Sequence, residues 1–250
     1  MKIFGAMIFL VLVNPIFSAK LIWISTSNDT NIQHLKSGLK EYGIGLIHLT
    51  TEFDTESLDK TLEFLEARLK PEVNSAEPLA YGGYRQFGWL AFLLANRNEK
   101  PQNIFGVGSF STAIEMVRLG IDIIQDPHSR NHYKLIMDNY ENLLHCKLAN
   151  CLSKAHKYSI GNIYKSWSFR APWLIVQAEI DPYMPYKQVK RFLTHNPLLT
   201  IESYLIPDEA IDSRTPRSIH RFIYFLGQSL ETFSQKTEEQ RKQFDSPFTN

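Results

Sequence analysis

The feature that most constrains this chain is a repeated alternation of short apolar runs with stripes of apolar residues at helical spacing. Lys20–Ser25 (KLIWIS) is an apolar run with β-branched residues and strand length, the pattern of a strand buried on both faces. Ile32, Leu35 and Leu39 follow at helical spacing, behind a polar cluster at Thr26–Thr30 rich in helix-capping residues, and Gly43 marks the stop. Ile44–Leu49 is a second strand, and Leu58, Leu62, Leu65 and Leu69 form a stripe ended by Pro71. Residues 71–83, with two Pro and the pair Gly82-Gly83, read as loop, and Tyr81–Gln86 as a turn into a helix marked by Phe87, Leu90 and Leu94. The tyrosines of that turn could also line a pocket. Asn103–Gly108 reads as a strand, Phe110–Leu119 as a helix and Ile121–Gln125 as a strand again. After a stretch without clear period come strands at Trp173–Ala178 and Ile201–Ile206 and helices at Tyr186–Leu193 and Pro216–Phe233. Strands alternating with helices imply parallel pairing through right-handed crossovers, hence an α/β domain with a mostly parallel sheet and helices on both faces.

The first nineteen residues stand outside this pattern. Met1-Lys2 is a short basic start, Ile3–Val13 an apolar run, and Asn14-Pro15 a helix break before Ala19. That layout predicts a signal peptide over 1–19, too short for the roughly 20 residues of a membrane span. Phe17 departs from the small residue preferred near a cleavage site, and an uncleaved anchor or a buried first strand are the other readings. Cleavage implies an exported, periplasmic or secreted protein with no membrane span. The domain then covers 20–235 and a polar tail 236–250.

Composition removes several function classes. The chain has 27 Lys plus Arg against 26 Asp plus Glu, a near-zero net charge that argues against nucleic-acid binding, which needs a basic face. No Walker-type loop, dinucleotide glycine fingerprint or H-E-x-x-H is present, and no cofactor or metal is expected. The two cysteines, Cys146 and Cys151, are five residues apart in HCKLANC. In an oxidising compartment they favour a local disulfide, which needs a turn because a straight helix aims the side chains apart. Two free thiols, or zinc with His145 and His156, are the alternatives. Asp126, His128 and His132 follow a strand, where solvated loop histidines or a metal site are both open.

Two segments carry a family resemblance. Ile104–Leu119 (IFGVGSFSTAIEMVRL) is similar to the strand, sharp turn and helix that present the nucleophile of α/β-hydrolases, usually G-x-S-x-G. Ala171–Tyr186 (APWLIVQAEIDPYMPY) is similar to the late strand that delivers the acid. The resemblance implies Ser109 as nucleophile, Asp181 as acid, His220 as base, and Thr26 and Phe110 as backbone donors to an oxyanion. It makes 127–167 a lid-like insertion after the sixth strand region.

The departures point to a degenerate member. Val107 and Ser111 stand where the motif has small residues, and the residues after Leu205-Ile206-Pro207 include no His. His220 falls inside a helix that Thr215 and Pro216 begin, beside Ile219, Phe222 and Ile223, and His195 is more remote still. Asp181 also suits a cap or a turn with Pro182. Without a base a serine hydroxyl is a weak nucleophile. The expectation is therefore a binding module with eroded motifs, holding a small-molecule or lipid-like ligand or an envelope protein; the alternative is a serine hydrolase acting on an ester or acyl bond.

Overall fold

The computed structural model describes residues 19–52, 57–73, 79–84, 86–98, 103–107, 127–147, 150, 152–159, 162–163, 173–178, 194 and 201–206. Six parallel strands, β1 (Ala19–Ser25), β2 (Ile44–Thr50), β3 (Leu79–Tyr84), β4 (Asn103–Val107), β5 (Trp173–Ala178) and β6 (Ile201–Ile206), form one sheet in the order β2-β1-β3-β4-β5-β6. The described helices are α1 (Ile32–Glu41), α2 (Leu58–Leu69), α3 (Gln86–Arg97), α4 (Pro127–Leu144) and α5 (Leu152–Lys157), with a short 3₁₀ turn at Lys70–Glu72. The helix expected at Phe110–Leu119, the strand at Ile121–Gln125 and the helices at Tyr186–Leu193 and Pro216–Phe233 lie outside the described residues, as do 1–18 and 207–250.

Crossover handedness distributes the helices. The chain moves from β1 outward to β2 through α1, then back past β1 to β3 through α2. With both crossovers right-handed, the reversal puts α1 and α2 on opposite faces. The buried residues agree. Ile22, Ile24, Ile47 and Leu49 share a core cluster with Leu58, Leu62, Leu65 and Leu69 of α2 and with most of α3. Leu21 and Trp23, which alternate with them, and Leu35 and Leu39 of α1 are buried but stand apart from that cluster.

The helix ends follow their sequence signals. Ser57 caps α2 by accepting from the Lys60 N–H at 3.5 Å. Gly43 ends α1 with φ 66°, a conformation that costs a glycine little.

Two expectations are corrected. Residues 79–83, read as loop, belong to a strand inside the sheet, paired to β1 on one side and to β4 on the other. Glycines weaken a strand considered alone; neighbours on both edges supply the ladder that the sequence LAYGGY does not advertise. The turn expected over Tyr81–Gln86 accordingly shrinks to the junction after Tyr84.

The second correction concerns the stretch after Asp126, which holds an 18-residue helix, α4. Its Tyr140, Leu143 and Leu144, at i, i+3 and i+4, join the core cluster together with Ala155 of α5. They cover α3, which is buried continuously from Phe87 to Ala95 and so packs on the sheet and beneath α4 at once. The Trp89 indole N–H donates to the Tyr158 carbonyl at 2.9 Å, and its ring lies 4.9 Å from Tyr140. His128 and His132 fall on α4.

α4 ends in a Schellman motif. His145 takes φ 51°, its N–H bonds the Asn142 carbonyl at 3.1 Å, and the Cys146 N–H bonds the Glu141 carbonyl at 3.1 Å. This is the turn that a local disulfide needs. Cys146 is disulfide-bonded, and the chain's other cysteine is Cys151.

Candidate functional site

In an open parallel sheet, side chains and backbone groups converge on a ligand at the carboxyl ends of the strands, where successive connections leave in opposite directions. Here that point lies between β1 and β3, because the chain leaves β1 toward β2 and returns on β1's other side as β3. Its two walls end at Ser25 and Tyr84.

The β3 wall makes a very tight strand-to-helix turn. β3 ends at Tyr84 and α3 begins at Gln86, so Arg85 alone joins them. Close approach of helix and strand is what permits so short a connection. A Cβ on Gly83 would sit 2.6 Å from the Phe87 carbonyl carbon, 2.8 Å from its oxygen and 2.9 Å from the Gly88 nitrogen. Only hydrogen fits at position 83. Tyr84 is half-buried and packs edge-on against Trp23 at 4.9 Å, interplanar angle 88°. The Gln86 side-chain oxygen is buried and meets no hydrogen-bond donor among the described residues.

The β1 wall carries a Ser–His pair that sequence reasoning missed. Ser25 Oγ lies 2.8 Å from His48 Nε2. Parallel pairing sets Ser25 level with Thr50 and Trp23 level with His48, so all four residues share a face and His48 is the diagonal neighbour of Ser25. Nothing in the sequence links positions 23 residues apart until the strands pair. Burial holds the His48 imidazole below its ordinary pKa; the Asp29 carboxylate pulls the other way and the Arg68 guanidinium adds to the lowering. His48 is therefore neutral at neutral pH.

Ser25 is 3% exposed, so its hydroxyl is buried at the end of β1. Among the described residues, no carboxylate hydrogen-bonds the other ring nitrogen of His48, the position a relay gives to its third group. Asp29 Oδ1 instead accepts from the Asn31 N–H at 3.0 Å and shapes the loop entering α1.

Among the residues expected to act, Thr26 is described. It is half-buried just past β1, and its carbonyl accepts from the Asp29 N–H at 3.3 Å. Ile24 pairs with Gly83, so Thr26 stands two residues beyond a paired position at the switch point. Ser109, Phe110, Asp181 and His220 lie outside the described residues. β4 ends at Val107, two residues before Ser109, and β5 at Ala178, three before Asp181. β4 is one strand removed from the β1–β3 switch point. No group of three or more His, Cys, Asp or Glu among the described residues is placed to hold a metal ion, and no described helix is long and apolar enough to cross a membrane.

No protein-family model matches the sequence, and no curated protein matches it. Solved structures do match in shape. A soluble variant of monoglyceride lipase from Saccharomyces cerevisiae, in complex with a substrate analog, superposes with a TM-score of 0.57 at 16% identity, over 86% of this chain and 87% of that one. Esterase B from Lactobacillus rhamnosis gives 0.64 at 11% identity, over 91% and 79%. Alpha/beta hydrolase domain-containing protein 10 from mouse gives 0.56 at 13%, over 85% and 90%. The chain has the α/β-hydrolase fold. Identities this low establish the architecture alone, because one fold hosts many chemistries. In α/β-hydrolases the nucleophile stands on a strained strand-to-helix turn flanked by glycine. Among the described elements, β3 and α3 are the strand and helix with the shortest connection, and Gly83 lies against the backbone of Phe87 and Gly88 there.

Proposed function

We propose that this chain is an exported α/β-hydrolase-fold binding module, in which the elbow of the fold carries Arg85 where a hydrolase carries its nucleophile. One observation bears the reading: a single residue, Arg85, separates β3 from α3 at the switch point, and Gly83 takes the glycine position two residues before it. A guanidinium is always protonated, offers five donors and has no lone pair to attack an acyl carbon. It suits recognition of an acidic or polar ligand group rather than covalent catalysis.

The crevice would hold a small-molecule or lipid-like ligand, or a segment of an envelope protein. The disulfide at Cys146 supports export, since such bonds persist in oxidising compartments. The tight connection also favours β3 over β4 as the elbow strand, which weighs against Ser109 as nucleophile.

A fluorophosphonate probe tests this. The folded chain is expected to remain unlabelled. Labelling that disappears in Ser109→Ala would replace the binding reading with a serine hydrolase acting on an ester or acyl bond.

A further inference from the structure

A second concavity opens at the carboxyl end of the edge strand β2, outside the β1–β3 crevice. It encloses about 370 Å³ and is lined by Ser27, Thr50, Glu52, Thr61, Phe64 and Arg68. That volume is at the small end of the range for small-molecule sites.

Its chemistry is mixed in a specific way. Glu52 Oε1 accepts from the Ser27 N–H at 3.3 Å and from its hydroxyl at 3.0 Å, which holds a carboxylate on one rim. Arg68 donates to the Thr50 hydroxyl at 2.9 Å and to its carbonyl at 3.4 Å. Both bonds use Nη1, and no carboxylate among the described residues pairs with this cation. Phe64 is 49% exposed, the large apolar side chain most open to solvent among the described residues, and the Arg68 guanidinium carbon lies 5.6 Å from its ring centroid.

We infer that this groove is a saccharide-binding site for a neutral mono- or disaccharide unit. A simple anion would bond Arg68 but be repelled by Glu52; a simple cation meets the reverse. Sugar hydroxyls donate and accept together, so they satisfy the carboxylate, the guanidinium and the threonine hydroxyls at once. The apolar C–H face of a pyranose covers the exposed Phe64 ring. Nothing in this reading depends on the residue at the elbow.

The test is amide NMR on the whole chain, titrated with glucose, N-acetylglucosamine and maltose, with benzoate as the anion control and phenylalanine as the zwitterion control. At least one sugar is expected to shift the Ser27, Thr50, Glu52 and Arg68 amides saturably. Phe64→Ala and Arg68→Gln, each verified as folded by circular dichroism, are expected to weaken that sugar about tenfold. Three results would overturn the inference: no sugar moves these amides, either control binds more tightly than every sugar, or both variants bind the sugar unchanged. Fluorophosphonate labelling is unaffected by any of these outcomes, so the two readings fail separately.

Discussion

Replacing Gly83 with alanine probes the strand-to-helix junction directly. The added carbon would stand 2.6 Å, 2.8 Å and 2.9 Å from backbone atoms of Phe87 and Gly88, and backbone cannot rotate aside as a flexible side-chain tip can. Overpacking a well-filled site costs about 1–3 kcal/mol, and three backbone contacts place this substitution at about 3. Working against that, Gly→Ala removes conformational freedom from the unfolded chain and stabilises by about 0.4–1 kcal/mol when the native geometry tolerates it. The net expectation is a loss of about 2 kcal/mol, or roughly 4–8 °C in melting temperature for a domain of this size. Urea denaturation with calorimetry reads both numbers. A Gly83→Ala protein that melts at or above the parent temperature would refute the close approach of β3 and α3 on which the proposed binding reading rests.

Two further outcomes follow from groups in the described core. His48 titrates below its unfolded pKa because it is buried, so the unfolded chain binds the extra proton first and stability is lost as pH falls from the ordinary imidazole value through the lowered one. His48→Gln should flatten the denaturation midpoint across that acidic window; a variant that keeps the full pH dependence would exclude His48 as its source. Reducing the disulfide at Cys146 releases a short loop, and the chain-entropy estimate for about five residues is about 2 kcal/mol. Unfolding with and without reductant checks it, and equal midpoints would show that the bond adds no stability.

Much of the architecture was legible because burial imposes a period. Lys20–Ser25 is buried on both faces of the sheet, with Leu21 and Trp23 on one side and Ile22 and Ile24 on the other, and the leucine stripe of α2 repeats because one face of that helix meets the core. Gly43 announced a helix end through local geometry that needs no distant partner. The segment containing α4 was harder: its contribution to the described core is concentrated in Tyr140, Leu143 and Leu144 at one end of a long helix, with half-buried Met137 packed against it.

The site depended on tertiary structure for a different reason. A motif search starts from a serine, and so it pointed to Ser109; the short connection from β3 to α3, where Gly83 presses on the backbone of Phe87 and Gly88, holds no serine to draw such a search. Alternating periodicity by itself established a mostly parallel α/β sheet, though not its member β3, which only pairing on both edges revealed. Which strands would be neighbours, and therefore where the switch point would fall, was decided by pairing between residues far apart in the chain, as with Ile24 and Gly83. Local preference governs each element within a few residues, but a crevice exists only where separate elements end side by side, and that is a property of their packing.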